Sequence, residues 1–213
     1  MKTDDLISML STGVAPVDPH FASKRLQLAL AGGITLSFLL MVLLLGINPN
    51  LKDAAALPMF WVKLALPASL FAVGLLLVLR VSIPGRPWRA IARMAGAPLV
   101  AMFLLAAFVL FNATPDARLP LILGKTWTVC TMNIVVVSSP VFIAVFWVMQ
   151  GLAPTQLRLA GACAGLMTGG MGTLVYALHC PEMAAPFIAV WYTAGILLTT
   201  GLGALVGRRL LRW

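Results

Sequence analysis

Six apolar runs decide what this chain can fold into: Leu26–Ile47, Pro58–Leu79, Ala90–Phe111, Trp127–Met149, Leu157–Leu178 and Ala184–Val206. Each is close to the ~20 residues that a helix needs to cross the hydrocarbon core of a bilayer, at about 1.5 Å rise per residue. Lipid offers backbone amides no partner, so such runs cross as helices that satisfy their own peptide groups. Of the 213 residues, 61% are hydrophobic and 10% charged, whereas soluble domains average about 45–50% and about 25%. The expectation is an all-α polytopic membrane protein with six transmembrane helices. The first run is too long for a signal-peptide core and reads as a retained span.

Lysine and arginine then set the expected orientation, because basic residues concentrate in cytoplasmic loops. One side holds Lys2, Lys24, Arg25, Arg80, Arg86, Arg89, Arg93, Arg158, Arg208, Arg209 and Arg212, which is eleven of the 15 basic residues. The other holds Lys52, Lys63, Arg118 and Lys125. Both termini are therefore expected in the cytoplasm, as an even number of spans requires. The net charge of +9 reads as topology and anionic-lipid contact, most of all in the loop 80–89, and not as a nucleic-acid footprint. The chain divides into a cytoplasmic segment 1–25, a six-helix domain 26–207 and a basic C-terminus 208–213.

In the first segment Thr3, Asp4 and Asp5 mark a helix start, with acids where the helix dipole favours them. Leu6, Ile7 and Leu10 follow as a small apolar face, and Gly13 and Pro16 end it. This reads either as a frayed tail or as a partner-docking helix. Gly161, Gly165 and Gly169 line one stripe of the fifth span, and Gly203 and Gly207 repeat the spacing in the sixth. Small residues at that interval let helix backbones approach closely in lipid. In the fourth span Thr126, Thr128, Thr131 and Asn133 form a polar outer third, and Ser138-Ser139-Pro140 marks a kink.

No paired carboxylate, HExxH, phosphate-binding loop or GxSxG is present. The spans carry almost no ionisable residue, which argues against a proton-coupled transporter. Lys63, near the outer end of the second span, is expected to snorkel to the surface. What remains is an outer pair of thiols. Cys180 sits in a short loop, His179-Cys180-Pro181-Glu182, that has no basic residue and faces outward. Cys130 opens the fourth span on the same side. The short connection between the fourth and fifth spans makes them neighbours and brings these outer ends together. His179 beside Cys180 would lower the thiol pKa when protonated, or would join both thiols, with Glu182, around a soft metal. Three readings stand open: a static or unreactive pair, a redox- or metal-sensing pair, and a catalytic thiol. Cys163, inside the fifth span, reads as packing. No resident cofactor is expected, transient soft-metal binding by Cys130, Cys180 and His179 being the exception.

Several of these stretches resemble one family. Met1-Lys-Thr-Asp-Asp-Leu-Ile7, Trp127-Thr-Val-Cys130, Ala153-Pro-Thr155, Tyr176-Ala-Leu-His-Cys-Pro-Glu182, Trp191-Tyr192 and Gly207-Arg-Arg-Leu-Leu-Arg-Trp213 are similar to the NrsF family. The resemblance covers nearly the whole chain. It implies a six-span protein of the bacterial inner membrane that acts as an anti-sigma factor. Such a protein holds an extracytoplasmic-function sigma factor at the cytoplasmic face and releases it under oxidative or heavy-metal stress. It also implies that two periplasmic cysteines, matching Cys130 and Cys180, are the sensing residues, and that the N-terminal segment, with or without the loop near 80–93, binds the sigma factor. Within that segment Asp4, Asp5, Leu6, Ile7 and Leu10 are the expected contacts. The partners are then a sigma factor and membrane lipids, with no direct nucleic acid, and the sequence leaves the oligomeric state open. The rival readings are a small transporter or channel for a metal or metabolite, with Thr126, Thr131, Asn133, Ser138 and Ser139 along its path, and a quinone-linked thiol oxidoreductase. The latter lacks the CxxC-like pairs such enzymes use.

Overall fold

The computed structural model describes residues 3–12, 21–83, 85–152 and 154–212. Lys2, the Gly13 and Pro16 helix stop, Ala153 and Trp213 lie outside the described residues. Helices α1 (Thr3–Ser11), α2 (Phe21–Leu44), α3 (Leu51–Ala56), α4 (Pro58–Val81), α5 (Arg89–Met94) and α6 (Gly96–Asn112) come first. Then follow α7 (Pro115–Leu123), α8 (Trp127–Gln150), α9 (Leu157–Tyr176), α10 (Ala185–Phe187), a π-helical turn Ile188–Tyr192, and α11 (Thr193–Leu210), with no strand among the described residues.

Six of these stretches are long and apolar enough to span a membrane: Ser23–Leu44, Pro58–Val81, Arg89–Asn112, Pro115–Gln150, Leu157–Tyr176 and Ala185–Leu210. The differences from the sequence reading lie at the ends. The third run is two helices joined at Ala95, and α3 and α7 are short additional helices that the apolar runs do not reveal. The last run is interrupted by the π turn, a local widening of the helix that often accompanies functional positions.

At the centre stands α9, packed against α11, α4 and α8, with α2 lying mainly along α8 and α6 at the periphery. Glycines make this possible. A Cβ on Gly161, Gly165 or Gly169 would collide with α11 at Gly203, at Thr199 and Thr200, or at Thr199. On the α4 side, a Cβ on Gly74 would come within 2.6 Å of the Met167 backbone, and one on Gly170 within 2.7 Å of Phe71 N. Lipid supplies no hydrophobic drive between helices, so close backbone packing of this kind is what holds them together. In α8, Pro140 leaves the Val136 carbonyl without its amide donor. The Ser139 hydroxyl donates to that carbonyl at 2.7 Å, and Ser138 donates to Ile134 at 2.7 Å. These hydroxyls thus turn back onto their own helix instead of facing a path between helices.

The core has two main clusters, one at each end of the bundle. The first gathers Leu26, Val78, Val81, Phe146, Met149, Ala160 and Leu211. Around it lie the arginines of one face: Arg25 stacks on Trp147, and Arg158, Arg208, Arg209 and Arg212 line a hollow of about 550 Å³. The second gathers Leu66, Leu70, Cys130, Ile134, Tyr176, Cys180, Phe187 and Tyr192. This second cluster encloses the candidate site.

Candidate functional site

The site forms where the start of α8, the end of α9, the loop 177–184, the π turn and the first turns of α4 meet. Pro181 cannot continue a helix. The chain therefore leaves α9 in tight turns, with the His179 and Cys180 amides both donating to the Tyr176 carbonyl at 3.0 and 3.1 Å. The loop then folds back over the bundle, and Cys180 ends 1% exposed and Cys130 fully buried. The loop thus carries Cys180 into the bundle and not to the surface. The two thiols, 50 positions apart in sequence, face one another and are both free.

Lys63 is the larger correction. It does not snorkel but is fully buried. Its Nζ donates to the Cys180 carbonyl oxygen at 2.5 Å and lies 5.8 Å from the centre of the Tyr192 ring. Snorkelling fails because the thiol loop and the π turn hold the side chain inside, through the Cys180 carbonyl and the Tyr192 ring. Two tyrosines complete the wall, their rings edge-on at 6.2 Å. The Tyr176 hydroxyl is directed at Cys130 and the Tyr192 hydroxyl at Cys180, yet neither completes a hydrogen bond. The Cys180 thiol lies outside the spans. The Cys130 thiol lowers its pKa most, burial opposes this and the Lys63 ammonium lowers it further, leaving it at about 6.

His179 and Glu182 have other work. His179 Nδ1 donates to the Gly46 carbonyl at 2.9 Å, and its ring lies 5.7 Å from that of Tyr176. Gly46 can present that carbonyl because it closes α2 with a φ of +77°, a conformation that glycine adopts without strain. Glu182 Oε1 accepts from the Lys125 amide at 2.7 Å, and the Asn48 amide donates to the Leu178 carbonyl at 3.2 Å. The basic side chain that reaches Cys180 is therefore Lys63, not His179. Among the described residues no three of His, Cys, Asp and Glu converge as a metal-binding group. Trp191 braces the same end, donating to the Ile122 carbonyl at 2.9 Å and lying 5.6 Å from the Trp127 ring.

Other expected site residues lie elsewhere. Cys163 is buried in the opposite core cluster. Asp4 and Asp5 occupy the first turn of α1, and Leu6, Ile7 and Leu10 are 38%, 59% and 67% exposed. Of the residues that sequence reasoning missed, Lys63 carried a usable signal, since an ionisable group inside a span is a functional candidate by default. Tyr176 and Tyr192 stood out only as members of stretches that resemble the family, because by residue type a tyrosine in a span reads as packing.

The arrangement defines a class: a six-span membrane protein with a buried thiol pair and lysine at one end and an arginine-rich face at the other. Residues 10–213 match the NrsF family, described as a negative regulator of sigma F. The chain is 44% identical over 213 residues to a probable anti-sigma-F factor NrsF of Azospira oryzae, with both chains covered in full. It is 38% identical over 223 residues to the anti-sigma-F factor NrsF of Caulobacter vibrioides, again over the whole of both chains. The chain belongs to the NrsF family, a family of regulators and not of enzymes. No solved structure matches it.

Proposed function

We propose that this protein is an anti-sigma factor of the bacterial inner membrane that holds a sigma factor of the extracytoplasmic-function class and releases it when Cys130 and Cys180 are oxidised or capture a soft metal. The observation that carries the reading is the meeting of these two distant thiols at one buried site, in a chain whose full-length relatives are anti-sigma-F factors.

Both termini and the arginine-rich face lie in the cytoplasm, and the thiols lie at the periplasmic end. Lys63 is internal, so only Lys52, Arg118 and Lys125 remain as surface cations on the thiol side, which sharpens the charge bias behind this orientation. The arginines meet anionic lipid headgroups. Segment 1–25 docks the sigma factor through the exposed Leu6, Ile7 and Leu10, with Asp4 and Asp5 beside them. Segment 26–207 carries the sensor, and 208–213 anchors the cytoplasmic end.

To shift a two-state population from about 1:99 to 99:1 requires about 5.5 kcal/mol of differential affinity. A disulfide contributes typically about 2–4 kcal/mol, so a second change at the site must accompany it. The direct test is affinity purification in mild detergent of the full chain and of a version lacking residues 2–20. Sigma factor recovered with the full chain and lost with the truncation supports the reading. Absence of sigma factor from the full-chain sample, from cells expressing one, overturns it.

A further inference from the structure

Lys63 places a fully buried amino group in the second span. Its hydrogen-bond acceptor is the uncharged Cys180 carbonyl. The acid whose charge reaches it, Glu182, is committed to the Lys125 amide. Buried charges persist where an opposite charge offsets them. The groups facing this one are Cys180 and Glu182 of the loop, Cys130 on α8 and Tyr192 on the π turn, with Tyr176 on α9 facing the two thiols. Of the two thiols, Cys180 is the one whose backbone Lys63 grips.

We propose that Lys63 is the positioning residue of the thiol pair: its ammonium is the fixed counter-charge of a Cys180 thiolate, and loss of that thiolate on oxidation is what α4 feels. The inference rests on the sensor reading above and deepens it.

The chemistry balances with hydrogen peroxide as oxidant. The Cys180 thiolate attacks one peroxide oxygen, the O–O bond breaks, and a sulfenic acid forms while the departing hydroxide takes a proton from solvent to become water. The Cys130 sulfur then bonds to Cys180, the S–O bond breaks, and a second water leaves with the Cys130 proton. The sulfurs give up two electrons and the peroxide is reduced by two. Before the reaction the site holds an ammonium and a thiolate; afterwards it holds an ammonium and a neutral disulfide. Lys63 then keeps the Cys180 carbonyl but loses the thiolate charge, with only that of Glu182, held by the Lys125 amide, still reaching it, and it must shed its proton or shift. Either change alters how α4 is tied to the loop that closes α9. Because α4 and α9 meet backbone to backbone at Gly74 and Gly170, a shift at this end cannot be absorbed by soft side chains.

Thiolate absorbance at 240 nm tests this without the need for a probe to reach a buried sulfur. The full chain in lipid nanodiscs is titrated with pH, and the same titration of Cys180→Ser is subtracted. The expected wild-type step lies below the ordinary thiol range of about 8.5. Lys63→Gln keeps a donor for the carbonyl but no charge, and its step should move up by about two pH units, leaving on the order of tenfold less thiolate at pH 7. Lys63→Arg should restore the wild-type position, which a merely structural role would not require. An unmoved step in folded Lys63→Gln overturns the proposal. So does a wild-type step at or above about 8.5, whether or not the variants fold. The titration uses no sigma factor. Failure here with sigma capture intact therefore removes Lys63 alone, and loss of capture with the expected titration removes the anti-sigma reading.

Discussion

The Nζ of Lys63 donates to the carbonyl oxygen of Cys180 at 2.5 Å, across 117 positions of sequence. This bond joins the start of α4 to the loop after α9 and places the buried lysine beside the buried thiol pair. It makes the thiol end of the bundle one connected unit: α4 through Lys63, α2 through the Gly46 carbonyl on His179, and the α7–α8 turn through the Lys125 amide on Glu182.

The α9–α11 seam is predicted to tolerate no added methyl group. A Cβ on Gly165 would lie 2.8 Å from Thr200 Cα, whereas one on Gly201 meets nothing within 4 Å. Gly165→Ala should lower stability by about 1–3 kcal/mol through overpacking, and Gly201→Ala should change it by less than about 0.5 kcal/mol. Denaturant unfolding in detergent micelles measures both. Equal effects would mean that the seam is looser than described.

Gly124 is predicted to hold the clamp on the thiol loop. Its φ is +59°, and a Cβ there would lie 2.7 Å from the Phe187 ring and 2.8 Å from the Glu182 carboxyl carbon. Gly124→Ala combines backbone strain with a clash, at a cost of about 1–3 kcal/mol. It should also speed alkylation of Cys180 by maleimide, read by mass spectrometry of the labelled peptide. Unchanged labelling would show that the loop does not depend on this turn.

Stability is predicted to depend on pH through Cys180. Its pKa falls from 9.0 to about 6 on folding, so between those values the unfolded chain binds the extra proton and stability rises with pH. The contribution is fully present above pH 9.0 and is lost as pH falls through about 6. Melting curves from pH 6 to 9 should show a rise in the wild type that Cys180→Ser lacks. A matching rise in the variant would place its origin elsewhere.

The spans were legible because hydrophobicity and length alone decide what crosses a bilayer. The packing of α8 against α9, which brings their thiol-bearing ends together, was legible from a connection too short to separate them. The details of the site were not. A lysine six residues into a span looks able to reach water until the covering segments are known, and the folded-back loop leaves no periodic pattern to read. His179 beside Cys180 suggested a local partnership, but adjacent residues on a turn point apart, and His179 turns to α2 instead. The π turn that places Tyr192 over Lys63 leaves no mark in a run of apolar residues.

The N-terminal helix is predicted to bind the sigma factor without contributing to the fold. Leu10 is 67% exposed, so Leu10→Asp should leave the melting temperature unchanged while weakening sigma capture by about tenfold or more, as loss of a central apolar anchor does. Binding of purified sigma factor to nanodiscs carrying the full chain measures it. Undiminished binding would remove α1 from the dock.

The central claim is that the state of Cys130 and Cys180 sets the hold on the sigma factor. The most direct test adds peroxide to immobilised full-length protein with its sigma factor bound, beside the Cys130→Ser, Cys180→Ser double variant. The account predicts that the wild type releases the sigma factor and that the double variant retains it. Release of the sigma factor from both at the same rate, or from neither, would contradict it.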